Sequence, residues 1–212
     1  MKYLKLFENF EPYDPYELMM IPPQKKAEMS VSEIKKKDKA NLNLVRDLIA
    51  LGADLDWQDD WSNTALHACA IWNHLDIARM LIDSGADVNI QRNDGSTALH
   101  LCATSNRIEI ARMLIDAGAN VNIQDMDGFI ALHFCAWYNY IEIAKVLIDA
   151  GVDLNIQNSD GETALHWCAK HNHLEILKVL IDAGADKTIP NNEGKLPYEL
   201  ADTQELKKLL KP

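Results

Sequence analysis

One seven-residue phrase returns every 33 residues, and that period constrains the fold more tightly than any other feature of the chain. The phrase Thr64-Ala-Leu-His67-x-Cys69-Ala70 comes back at 97–103, at 130–136 with Ile130 in place of Thr, and at 163–169, its open place held by Ala68, Leu101, Phe134 and Trp167. Gly52, Gly85, Gly118, Gly151 and Gly184 keep the same register. So do Gly95, Gly128, Gly161 and Gly194, and the two series use all nine glycines. A fixed period of this length marks a solenoid. Each unit has an apolar face too small to bury alone, so units stack and stability resides in the interfaces between neighbours.

The residues between Asn93 and Gln124 give the local physics of one unit. Asp94-Gly95 is a turn signal. Thr97 suits a helix N-cap, where its hydroxyl can accept from otherwise unpaired N–H groups. Leu99, Cys102 and Ala103 recur at i, i+3 and i+4, one face of a short helix. Asn106 ends that helix. Asparagine tolerates left-handed backbone, and Asn73, Asn139 and Asn172 hold the same place in the other units. A second helix turns Ile108, Ala111, Leu114 and Ile115 inward and Glu109 and Arg112 outward, and Gly118 closes it. Residues 119–124 then run extended to the next turn. Small residues at Ala98, Cys102 and Ala103 let neighbouring first helices approach closely.

This pattern resembles the ankyrin repeat, whose signature is Asp-Gly-x-Thr-Pro-Leu-His-x-Ala-Ala with Gly-Ala-Asp-x-Asn closing the second helix. Here Ala65, Ala98, Ala131 and Ala164 replace the Pro, and a Cys replaces the first Ala of the pair. The resemblance covers about residues 30–210. It implies an all-α ankyrin-repeat solenoid of stacked helix–turn–helix units with hairpin-like loops. Full repeats are expected at 60–92, 93–125, 126–158 and 159–191. A cap at 30–59 precedes them and a shortened cap at 192–212 follows. Ser30-Val-Ser-Glu33 reads as a capping box opening the first cap helix. Lys35, Lys36, Lys37 and Lys39 read as that helix's solvated face. Residues 1–29 form an N-terminal arm, and Pro12, Pro15, Pro22 and Pro23 argue against one long helix there. The resemblance also implies a structural role for His67, His100, His133 and His166, each bonded to the Thr hydroxyl and to neighbouring backbone.

Four His-x-Cys pairs suggest zinc, and geometry opposes it. Ligand atoms must sit ~2.0–2.3 Å from the metal, whereas equivalent residues of stacked helices lie ~8–10 Å apart and i, i+2 pairs on one helix do not converge. The same separation argues against disulfides. Four free thiols fit a reducing, cytoplasmic setting. Every glycine already serves a turn or a helix end, leaving none for a phosphate loop, and the Asp and Asn residues at the hairpin tips lack EF-hand spacing. No catalytic residue, metal or cofactor is expected, and the chain reads as a non-enzyme. Residues 41–212 carry 13 Lys/Arg against 25 Asp/Glu, and an acidic body repels phosphate backbones. With no apolar run of membrane-spanning length and no signal-peptide pattern, neither nucleic acid nor membrane is an expected partner.

Packing fixes the repeated positions, so recognition should sit where the units differ. The resemblance places such sites at the hairpin tips and at the ends of the first helices, which line a concave face. The candidates are Trp61, Asn63, Ile71, Trp72, Arg92, Ser96, Met126, Phe129, Trp137, Tyr138, Tyr140, Glu162, Lys170 and His171. Large aromatics at exposed positions act as binding anchors. Phe134 and Trp167 share the column of Leu101 and are expected in the core. Ile130, lacking the capping hydroxyl, is expected to weaken its unit and to face a partner beside Phe129. The leading expectation is a monomeric module that binds a partner protein. A rival gives recognition to the arm and makes the repeats its holder. The opening Met1–Glu8 is also similar to starts of proteins from large tailed phages and some bacteria, which would make the partner a host factor.

Overall fold

Twelve helices carry the regular structure of the described residues, 23–34 and 41–211, in a computed structural model of the chain. They fall in pairs. The first is α1 (Pro23–Ile34) with α2 (Leu42–Ala50), followed by α3 (Ala65–Trp72) with α4 (Leu75–Asp83) and α5 (Ala98–Ser105) with α6 (Ile108–Asp116). Then come α7 (Ala131–Tyr138) with α8 (Ile141–Asp149), α9 (Ala164–His171) with α10 (Leu174–Asp182), and α11 (Pro197–Leu200) with α12 (Gln204–Leu210). Each helix packs on its pair partner. The first helices α1, α3, α5, α7, α9 and α11 make one row, and the second helices α2, α4, α6, α8 and α10 make another. Leu66, Leu99, Leu132 and Leu165 of the first row are buried with Ile77, Ile110, Ile143 and Ile176 of the second, so one core runs the length of the stack. Asn73, Asn106, Asn139 and Asn172 end the first helices in left-handed backbone, with φ between 56° and 62°.

Three polar rungs cross every interface between full repeats. The first belongs to histidine. The N–H groups of Thr64, Thr97, Ile130 and Thr163 donate to Nδ1 of the histidine three residues on, at 3.0–3.1 Å. Nε2 lies 3.0–3.2 Å from the carbonyl 29 residues further along, that of Ser96, Phe129, Glu162 or Lys195. An amide only donates and a carbonyl only accepts, so the proton sits on Nε2 and the ring is neutral. The three Thr hydroxyls, 2.9 Å from Nδ1, are then donors. Glutamine supplies the second rung. Gln58, Gln91, Gln124 and Gln157 each donate to a carbonyl of their own hairpin and to the carbonyl 33 residues on. In the third, side-chain oxygens of Asp56, Asn89, Asn122 and Asn155 accept the N–H 31 residues on, at 2.7–2.9 Å.

The N-terminal cap departs from the sequence expectation. Its helix begins at Pro23, inside the assigned arm, because a proline in the first turn forfeits no hydrogen bond. Ser30 and Glu33 therefore lie within α1, buried, and form no capping box. Glu33 accepts the N–H of Asn41 at 2.8 Å, and Asn41 is itself the N-cap of α2. Lys26 donates to the Leu51 carbonyl at the end of α2. The remainder of the arm, residues 1–22, and the lysines at 35–39 lie outside the described residues. Ile130 is also corrected. It is 1% exposed and so offers no surface to a partner, while its burial offsets the missing hydroxyl.

Two glycines isolate what the lattice demands. Gly128 and Gly151 share φ of 79°, but a Cβ on Gly128 would meet Ser159 N at 2.9 Å, while one on Gly151 meets nothing within 4 Å. Gly151→Ala should cost about 1–2 kcal/mol in urea unfolding, and Gly128→Ala at least about 1 kcal/mol more, because it pushes the next hairpin away. Equal losses would show that the hairpins are not in register-determining contact. Burial also holds the histidines low, His67 and His133 to about 4 from 6.5, with His100 and His166 lowered as well. Between those values the unfolded chain binds more protons than the folded one. Stability should therefore be full above pH 6.5 and fall as pH drops toward 4, by up to roughly 1.4 kcal/mol per unit per histidine. A flat urea midpoint between pH 7 and pH 5 would contradict this.

Candidate partner-binding surface

The first helices present different side chains at equivalent places, and in α7 and α9 those side chains are aromatic. Phe134 and Trp137, and Trp167 and Lys170, are i, i+3 pairs and so share a helix face. The pitch of the stack brings the two faces together. Trp137 and Trp167 stack with centroids 4.7 Å apart and planes at 22°. Phe129, from the hairpin before α7, lies 5.4 Å from Phe134 and 5.4 Å from Trp167. Tyr138 stacks on Trp137 at 5.6 Å, and Tyr140 on Tyr138 at 5.6 Å. His171 lies over Trp167 at 5.7 Å and next to His173 at 5.7 Å. Partial burial, the neighbouring His173 and then Lys170 lower the pKa of His171. Trp137 and Tyr138 are 37% and 44% exposed, whereas Phe129, Phe134, Tyr140 and Trp167 are half-buried beneath or beside them. Aromatic faces at these separations attract one another beyond their area burial. The strip is therefore a firm apolar surface.

A charged pair borders it. Lys170 Nζ is 2.5 Å from Glu162 Oε1 and 5.1 Å from the Trp167 ring centroid. Glu162 is 2% exposed, and its Oε2 has no hydrogen-bond partner. Trp167 Nε1 is likewise buried without one.

The family model described as Ankyrin repeats (3 copies) matches residues 35–125 and 122–191. The chain belongs to the ankyrin-repeat family. Among curated proteins none matches it. Ankyrin repeats generally mediate protein–protein interaction and are typically non-enzymatic. Among the described residues no group of three or more His, Cys, Asp or Glu is placed to hold a metal ion, and no helix is long and apolar enough to cross a membrane. The ankyrin histidines have both ring nitrogens engaged by the framework. Cys69, Cys102, Cys135 and Cys168 are buried and free, their thiols pushed well above the ordinary range by burial.

The ankyrin framework separates the expected contact residues into three groups. Trp137, Tyr138, Tyr140, Phe129, Lys170 and His171 meet in the strip. Trp61 and Met126 are isolated at hairpin tips, 72% and 75% exposed. The others are engaged by the fold. Asn63, Ser96 and Glu162 are buried, contrary to expectation, because theirs is the hairpin position on the core side of the turn. There the Ser96 and Glu162 carbonyls accept the histidine bond from the preceding repeat, and Asn63 Nδ2 reaches the Asp59 carboxylate. Arg92 is paired with Asp94, whose carboxyl it holds at about 2. Ile71 and Trp72 are half-buried against the core, and the Ile71 carbonyl accepts from the Arg107 guanidinium at 3.2 Å. Phe134 and Trp167, expected in the core, are half-buried and packed against it, and they also form the floor of the strip. Their column gave the clue: a side chain larger than Leu101 at that place extends past the core, toward the residue three positions on.

Proposed function

We propose that this protein is a partner-binding module and that the strip built on Trp137, Tyr138 and Tyr140 receives the partner on the concave face. Two stacked, partly exposed rings on a floor of half-buried aromatics carry the reading. Interface hot spots are large aromatics backed by close packing, with their partners desolvated against them. The strip is rigid before binding because its side chains stack on one another and on two first helices, so little rotamer freedom is lost on contact. The first two repeats place Ala68 and Leu101, both buried, in the column of Phe134 and Trp167. The binding end is therefore the third and fourth repeats. The acidic body would steer a basic surface toward it. Four free, buried thiols fit a reducing, cytoplasmic setting, and the reading takes the chain as a monomer.

Affinity capture from cells of the source organism, quantified by mass spectrometry, tests this. Partners held by the wild-type chain should be depleted at least about tenfold by Trp137→Ala/Tyr138→Ala, each change costing about 2 kcal/mol. They should be retained by Trp61→Ala. Equal capture by the double variant would contradict the reading. Loss on deletion of residues 1–22, with retention by the double variant, would give recognition to the arm instead.

A further inference from the structure

We propose that the strip is a cation acceptor: it binds an Arg or Lys side chain from an extended basic segment of the partner, and Lys170 occupies that place in the free protein. The inference rests on the partner-binding reading and adds the chemistry of what binds. Its first support is the position of Lys170. The ammonium sits between a carboxylate and an indole face, touching Glu162 Oε1 and lying 5.1 Å from the Trp167 centroid. These are the two groups that attract a desolvated cation most strongly, the ring through its quadrupole and the carboxylate through its charge.

The second support is the state of Glu162. It is 2% exposed, yet Oε2 has no partner. A buried carboxylate with one oxygen unsatisfied is costly, and a lysine ammonium, with its point charge, answers only one side of it. An arginine fork carries parallel N–H groups that match both oxygens, and its plane stacks on indole. Lys170 is 40% exposed on a flexible stem, so it can swing into water when another cation arrives. The third support is charge. Residues 41–212 carry a formal −12, which includes exposed Asp127 and Asp160 at the hairpin tips of the third and fourth repeats. Other lysines toward this end are engaged elsewhere: Lys145 is paired with Glu142, Lys178 with Glu175 and Lys195 with Glu193.

Exchange of one cation for another has a signature that a merely structural salt bridge lacks: removing the resident should improve binding. The probes are three unstructured twelve-residue Gly/Ser peptides carrying arginine, glutamate or leucine at alternate positions, titrated into the full chain and followed by tryptophan fluorescence and calorimetry. The arginine peptide should bind the wild type in a salt-sensitive way. Lys170→Met should tighten it about tenfold, since a competing cation–π and ion pair is gone. Lys178→Met, with the same change in net charge, should leave it within about twofold, as exposed pairs contribute little. Glu162→Gln and Trp137→Ala should each weaken it about tenfold. Thermal melts check that the variants fold, and the arginine peptide should raise the melting temperature of Lys170→Met more than that of wild type.

Unchanged or weaker binding by Lys170→Met, or an equal gain from Lys178→Met, overturns the inference. Trp137-dependent binding of the leucine peptide in preference to the arginine peptide overturns it while leaving the strip as the partner site. The absence of Trp137-dependent binding of any peptide overturns both.

Discussion

The bond from each buried histidine to the carbonyl 29 residues later is the interaction on which the rest of the structure depends. It makes one ring do two things. Nδ1 fixes the start of a first helix by accepting its N-cap amide, and Nε2 fixes the hairpin of the next repeat by donating to its backbone. Each bond adds only about 1 kcal/mol net, but leaving either partner unmade in the core costs more. The geometry is therefore specified by what a misplacement would leave unsatisfied. Because the same ring is used in four repeats, the step from one unit to the next is the same each time.

That regular step explains both what this fold cannot do and what it does. Equivalent side chains form columns rather than clusters, so the four His and four Cys, which as a list suggest a metal site, never converge. A column is also how the aromatic strip arises. Substituting the place of Ala68 and Leu101 with Phe134 and Trp167, and the place three residues later with Trp137 and Lys170, lays stacked rings across two repeats with no change in backbone. The framework stays constant while the surface is rewritten one column at a time, and a shared scaffold therefore leaves the choice of partner to a few residues.

The period, the left-handed asparagines and the helix pairs were legible in the sequence because each is set within one unit. What was not legible depends on contacts between units or on broken periodicity. Asn63, Ser96 and Glu162 read as tip residues, yet the hairpins of Ser96 and Glu162 are drawn onto the preceding repeat by a histidine 29 positions away, and Asn63 turns in to the Asp59 carboxylate, burials that have no local sign. Phe134 and Trp167 read as core by analogy with Leu101; they do pack against it, but their excess volume carries them past it into the strip. Ser30-Val-Ser-Glu33 carries a genuine capping pattern, but back-projecting the 33-residue lattice into a cap assumed a regular unit. Pro23, seven residues earlier, starts the helix instead. The glutamine rung leaves a sign that the sequence reading passed over, Gln58, Gln91, Gln124 and Gln157 at the same 33-residue spacing, and its bridging role appears only once two hairpins are side by side.

The most direct test of this account is the protonation pattern of the imidazoles at neutral pH, read from nitrogen-15 shifts of the histidine rings in the folded chain. His67, His100, His133 and His166 should each show a protonated Nε2 and an unprotonated Nδ1, with Nε2 protons slow to exchange with water. A ring carrying its proton on Nδ1, or one whose Nε2 proton exchanges freely, would mean that repeats are joined by some other contact and that the step between them is not set by histidine.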